Sequence, residues 1–280
     1  MRGKALLFGA ACLLAAVSAA AQEQVLRVAV SSGLTGTGLL EAIASDAKAE
    51  AGITVDWEAA GPEGAVSLAE TCGADALLID DPEVEKRFME QGKGAIRLRV
   101  MFSDYVLLGP AGDPAGASGK SLAQALAAIA RRGLPFVGNQ GDPETLAVET
   151  RLWAEAGRCL PGAEHWYLRC GSGALDALRL AAERQAYVIA GRGPYLRYWT
   201  GEDRVGSLAV LIDADAGVRD QYDAIAVNPD LCPRGRFELT VRFLQWIVSP
   251  AEQGRIGRFT YRGFPLFFPN AGTETCPTCR

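Results

Sequence analysis

The residues best suited to hold a small ligand stand at the ends of four short apolar runs, in the loops after Val30, Ile79, Val137 and Ala190. Val25 to Val30 reads as a β-branched strand. Ser31 and Ser32 follow it, and after a glycine-punctuated loop Gly38-Leu-Leu-Glu-Ala-Ile opens a helix. Hydroxyls and free backbone N–H groups at a strand-to-helix turn, near the positive end of a helix dipole, make a ligand platform. Gly138-Asn-Gln-Gly-Asp-Pro143 repeats the arrangement after the strand at 134–137, and Gly191-Arg192-Gly193-Pro194-Tyr195 follows a strand at 186–190. The pair Gly36 and Gly38 has Glu41 where a dinucleotide fingerprint needs a third glycine. No cofactor is expected.

The residues for covalent or metal chemistry are sparse. The single histidine, His165, stands beside Trp166 and Tyr167 without a second ligand at metal spacing. Gly171-Ser172-Gly173 lacks the spacing of a nucleophile elbow. An enzyme is not expected. Trp57, Trp153, Trp166, Trp199 and Trp246 are scattered, which suits core packing rather than a sugar platform.

The elements that would carry these loops follow a leader. Arg2 and Lys4 precede an apolar run from Ala5 to Val17, and Ser18-Ala-Ala-Ala21 has the small residues of a cleavage site. Residues 1–21 are therefore read as a signal peptide, with Gln22 as the mature start and the periplasm as destination. Cleavage removes two basic and no acidic residues, taking the formal net charge from −5 to −7. This acidic balance, without a Lys/Arg block, gives no reason to expect nucleic acid or an anionic membrane as partner. Six cysteines remain: Cys72, Cys159, Cys170, Cys232, Cys276 and Cys279. An even count in an oxidising compartment points to disulfides. Cys159 with Cys170, bracketing a short Pro/Gly loop, is the preferred pair, and Cys72 with Cys232 is an alternative. Cys276-Pro-Thr-Cys279 is read as a disulfide-closed or frayed tail.

The first third alternates strand and helix, as a parallel α/β unit does. Residues 97–109 form a long extended stretch ending at Gly109-Pro110, and Asp220 to Pro229 looks like a return. The expected fold is α/β, a two-lobed clamshell with two hinge crossings at about 104–106 and 220–224. Lobe one takes 22–104 and 222–270, lobe two 105–221, and 271–280 is a cysteine-containing tail.

Several segments carry a resemblance to a known family. Val30-Ser-Ser-Gly-Leu-Thr-Gly-Thr-Gly-Leu-Leu40 is similar to a Thr/Ser-rich first loop ending in SGLL. Gly73 to Glu85, Met101 to Val106, Gly109-Pro110 with Asp113-Pro114, Gly191 to Tyr195, Ile225 to Pro229 and Leu266-Phe-Phe-Pro269 also match. The chain resembles the periplasmic solute-binding proteins of tungstate ABC transporters, which have a type II binding-protein fold. The resemblance implies a monomer that delivers a small solute, an oxyanion in that family, to an ABC permease. A docking role toward a periplasmic sensor is the alternative.

In that family hydroxyls, backbone N–H groups and an arginine hold the oxyanion, since a desolvated dianion needs donors. Carried over, the donors are Ser31, Ser32, Asn139, Thr145 and Arg192. The second loop departs most. Where the family reads Ser-Arg-Gly-Asp-Asp-Ser-Gly-Thr, this chain has Gly138-Asn-Gln-Gly-Asp-Pro-Glu-Thr145, so Asn139 stands at the arginine position. Glu63, Asp80 and Glu144 replace a small residue, a histidine and a glycine. With Asp142, these carboxylates are expected to contact a neutral or cationic solute or to ligate a hard metal ion, or else to turn to solvent and cap helices, since Glu63 and Glu144 lie at helix starts. The solute is therefore an oxyanion or an altered ligand.

Overall fold

The computed structural model describes residues 25–201 and 207–272. The expected signal peptide, the start at Gln22, and Cys276 and Cys279 of the tail lie outside the described residues. β1 (Val25–Val30) leads through a 3-10 turn (Ser32–Leu34) to α1 (Leu39–Asp46) and a π-helical turn (Ala47–Ala51). β2 (Thr54–Ala59), α2 (Gly61–Glu70), β3 (Ala76–Ile79) and α3 (Pro82–Glu90) continue the alternation read from the sequence. Gly38 adopts φ 88°, a left-handed conformation that turns the loop into α1. Asp81 caps α3 by accepting the N–H groups of Glu83 and Val84 at 3.0 and 3.1 Å.

The chain then runs through β4 (Gly94–Gly109), α4 (Leu122–Arg132), β5 (Phe136–Asn139), α5 (Pro143–Glu155), β6 (Tyr167–Cys170) and α6 (Ala174–Arg184). β7 (Tyr187–Gly191), α7 (Arg192–Thr200), β8 (Ala209–Ile212) and β9 (Arg219–Val227) follow, and α8 (Phe237–Ile247) and α9 (Pro250–Arg258) close the helical part. A hairpin of β10 (Thr260–Tyr261) and β11 (Phe264–Pro265) precedes β12 (Phe268–Pro269). The sequence reading missed β6, whose Tyr-Leu-Arg-Cys is too short and mixed to show a period, and the hairpin.

β4 belongs to two sheets. The first runs β2-β1-β3-β9-β4, with β1 parallel to β2 and β3 and with β9 antiparallel to both neighbours. The second runs β4-β7-β5-β6, with β8 also on β4. Asp104 pairs with Arg219 in the first sheet and Tyr105 with Gly191 in the second, so β4 changes sheets between those two residues. β9 enters the first sheet already at Arg219, so residues 219–221 pair there rather than in the second sheet. The return crossing runs through 213–218, between β8 and β9.

Burial explains the element types. β3 is buried along its whole length, as a strand between two others must be. Trp153 is fully buried against Phe136 and Trp166, and Trp57 and Trp246 pack on Phe243. A disulfide joins Cys72, after α2, to Cys232, after β9. The preferred pairing of Cys159 with Cys170 is corrected: both are free, Cys170 being the buried end of β6 and Cys159 facing solvent. Closeness in sequence did not become closeness of Sγ atoms.

Candidate ligand-binding cleft

The first platform forms where β1 ends. The Ser31 N–H donates to the Leu78 carbonyl at 3.1 Å, and its buried hydroxyl donates to Asp80 Oδ1 at 2.5 Å. Asp80 also accepts a hydrogen bond from Tyr222. Ser32 is exposed, and its hydroxyl reaches Glu144 Oε1 at 3.5 Å, from the loop after β1 to the first turn of α5. Gly33 lies between. A Cβ there would meet the Tyr222 hydroxyl at 3.0 Å, with Asp80 Oδ2 and Glu144 Oε2 each 3.9 Å away. Thr37, rather than either serine, accepts the first N–H of α1, from Leu39 at 3.2 Å.

The second platform is built around a buried glutamate. Glu149 Oε1 accepts the Asn139 N–H at 3.0 Å, and Oε2 accepts the Tyr167 hydroxyl at 3.2 Å. Burial pushes the Glu149 carboxyl up to about 8, against the two hydrogen bonds that favour its charge. Gly138 stands where the family has a serine, and any side chain there would strike Tyr167, since a Cβ would fall 1.9 Å from its hydroxyl oxygen. The Asn139 side chain is fully buried and has no hydrogen-bond partner among the described residues; it does not line the cleft. Asp142 caps α5, accepting the Thr145 N–H at 3.3 Å and its hydroxyl at 2.8 Å.

The third platform holds Arg192, and its expected role changes. The guanidinium is engaged by Asp104 through Nε and Nη2 and by Asp213 through its carboxylate at 3.3 Å and its carbonyl at 2.6 Å. It also lies over the Phe268 ring, 5.5 Å from the centroid. Burial pulls its pKa down, but the hydrogen bonds and charge of Asp104 more than restore it. Asp104 is buried where β4 changes sheets, and a buried carboxylate at such a point needs a counterion. Arg192 therefore touches the cleft wall with its fork already occupied.

The three platforms enclose a chamber of about 90 Å³, reached by Gly33, Tyr105, Asp142, Glu144, Asp220 and Tyr222, with Thr145 and Arg192 also in its wall. The Tyr105 hydroxyl donates to Asp220 Oδ1 at 2.8 Å. Loss of water, then the charges of Asp80 and Asp142, push Glu144 up to about 7. Loss of water pushes Asp220 up to about 8, with Tyr105 opposing and Asp80, Glu144 and Asp142 adding to it. Asp80 rises for the same first reason, despite Ser31 and Tyr222. Among the described residues the chamber is thus a set of carboxylates whose one neighbouring guanidinium, Arg192, is already paired with Asp104. Tyr105, Asp220 and Tyr222 were missed as site residues, because the sequence reading used their segments for the hinge. Asp220 and Tyr222 are two apart on β9 and share one face, which was the available signal.

Two expectations are corrected. Glu63 is exposed in the first turn of α2 and paired with Arg87 at 2.6 Å, away from the chamber. Among the described residues no three His, Cys, Asp or Glu side chains come together as a metal-holding group, so the four-carboxylate metal site is not formed. A further cavity, of about 870 Å³, lies along β4 on the other side of Arg192, and among the described residues its lining includes none from the loops after β1, β3 or β5.

Residues 16–251 match the PBP superfamily domain. The chain is 30% identical to the tungstate-binding protein TupA of Campylobacter jejuni, over 85% of this chain and 88% of that protein. It is 32% identical to TupA of Peptoclostridium acidaminophilum, over 87% of this chain and 85% of that protein. The solved structure of TupA from Desulfovibrio alaskensis is similar with a TM-score of 0.84 and 38% identity, covering 88% of this chain and 99% of that one.

Proposed function

The chain belongs to the PBP superfamily, in its tungstate-type periplasmic binding-protein family, and on that premise we propose that it serves an ABC-type uptake system by binding a cationic solute in place of an oxyanion. One observation carries the choice of ligand charge. Asp142, Glu144 and Asp220 line the chamber, Asp80 stands behind Gly33, and the Arg192 guanidinium in the wall is already held by Asp104. Two like charges ~5 Å apart at an effective dielectric of ~20 repel by ~3 kcal/mol, and a dianion would meet several. A small cation reverses every one of those signs and lowers the raised carboxyl pKa values.

The transport role follows from relatives that are themselves binding proteins, and it goes with a non-enzymatic protein in the periplasm and a permease as partner. No helix among the described residues is long and apolar enough to cross a membrane, which agrees with that placement. The lobes are the parts of the chain on either side of the sheet change in β4, and Ser32, Glu144 and Gly33 are where they meet around the ligand. Ser31 and Thr145, with their protons given to Asp80 and Asp142, hold those carboxylates in place.

Thermal shift and calorimetry on the mature protein test this directly, with tungstate and molybdate against ethylamine and guanidinium. A ligand that binds only the folded state raises the unfolding midpoint. The expected result is a shift with a cation and none with tungstate. Submicromolar tungstate binding would overturn the proposal.

A further inference from the structure

A second chamber, of about 560 Å³, opens on the same cleft and has the opposite character. It shares Gly33, Gly193, Pro194 and Leu266 with the carboxylate chamber. Its remaining wall carries Arg197 and Arg262, with Tyr261 and the hydroxyl residues Ser32, Thr35 and Thr37, and no acidic residue among the described residues. Thr35 and Thr37 donate their hydroxyl protons to the carbonyls of Ser32 and Leu34, so charge here comes from the two arginines. Arg262 is held by one nitrogen on the Thr200 carbonyl at 2.9 Å and lies beside the Tyr261 ring, 5.7 Å from its centroid. Neither Arg197 nor Arg262 has an ion-pair partner among the described residues.

The two chambers therefore keep unlike charges apart across four shared wall residues. Left to themselves, carboxylates and guanidiniums in a shared cleft lower their energy by pairing. Here Gly33, Gly193, Pro194 and Leu266 stand between them. A simple cation in the inner chamber leaves the two arginines without a counterion, and a simple anion at the arginines leaves the inner carboxylates uncompensated. We propose that the solute is a small zwitterion, with its protonated amine in the chamber of Asp142, Glu144 and Asp220 and its carboxylate or similar anionic group on Arg197 and Arg262. One molecule then satisfies both sets. This rests on the cationic reading of the inner chamber and narrows it.

The test uses the mature protein and straight-chain ω-amino acids of two to six carbons. Each is compared with the alkylamine and the alkanoate of the same length, by thermal shift and calorimetry. The expected result is that one amino acid binds roughly tenfold or more tighter than its matched amine. Arg197→Gln with Arg262→Gln should bring that amino acid down to the amine's affinity, and Arg197→Gln alone should do so in part. An amine that binds as tightly as its amino acid would overturn the zwitterion while keeping the cationic cleft. Preference for the alkanoate, or no binding by any member of the series, would overturn both.

Discussion

β3 is four residues long and has an aspartate just beyond each end, and the two live in opposite electrostatic worlds. Asp75, before the strand, is buried but takes hydrogen bonds from the Arg27 N–H at 3.0 Å, the Arg236 N–H at 3.2 Å and both guanidiniums. Burial raises its pKa, yet Arg27 and Arg236 bring it below its ordinary value. Asp80, after the strand, has a serine and a tyrosine as donors, and burial wins. At the Asp75 end the chain supplies its own cations and a disulfide, and that end is finished. At the Asp80 end the carboxylates gather with no unpaired cation among the described residues, which is where the proposed ligand would supply the charge.

The contrast can be broken at the finished end first. Asp75→Ala strips two backbone donors and two guanidiniums of a buried acceptor, and should cost roughly 3–5 kcal/mol of stability in denaturant unfolding. It should leave the pH response of the cleft in place. Replacing Cys72 and Cys232 by serine removes a crosslink spanning 160 residues. The expected loss is roughly 2–4 kcal/mol, read as a lower denaturation midpoint. A loss well below this would mean that the strands alone hold that end.

The unfinished end should respond with the opposite sign. A carboxyl whose folded pKa is raised binds more protons folded than unfolded, so stability falls as pH rises through the window. For Glu144 and Asp220 the window runs from their ordinary values near 4 up to about 7 and about 8. The ligand-free protein should melt at a lower temperature at pH 8 than at pH 5. Asp75 works the other way, its stabilisation being lost only as pH falls below the ordinary carboxylate range. Glu144→Gln should flatten part of the fall. Because Glu144 is exposed at the rim, the gain at pH 8 is expected at ~1 kcal/mol or less. An unchanged slope would show that Glu144 does not feel its neighbours.

Much of the architecture was legible because it rests on local rules. The β-branched run of β1, the Asp81-Pro82 and Asp142-Pro143 helix starts and the long β4 could all be read from residue type and spacing. The three platform loops were legible for the same reason. What could not be read was which polar groups satisfy one another across the fold. Arg192 has the chemistry of an anion donor, but Asp104, 88 residues earlier, claims it. Asn139 sits at the expected arginine position, yet its side chain is buried away from the chamber. Tyr105, Asp220 and Tyr222 become wall residues only because β4 and β9 pair beside the point where β4 changes sheets. Long-range pairing decides these cases, and sequence distance carries no trace of it.

The bond between Cys72 and Cys232 also turns the intervening chain into a covalent ring. That ring contains the whole of the second sheet and its helices, from β5 through β8. A protease that cuts any one peptide bond inside it releases no fragment, because both halves stay tied through the sulfurs. A nicked molecule would run as an intact chain until a reductant is added. The protein can thus lose a loop bond inside the ring and keep both sides of the break tied together.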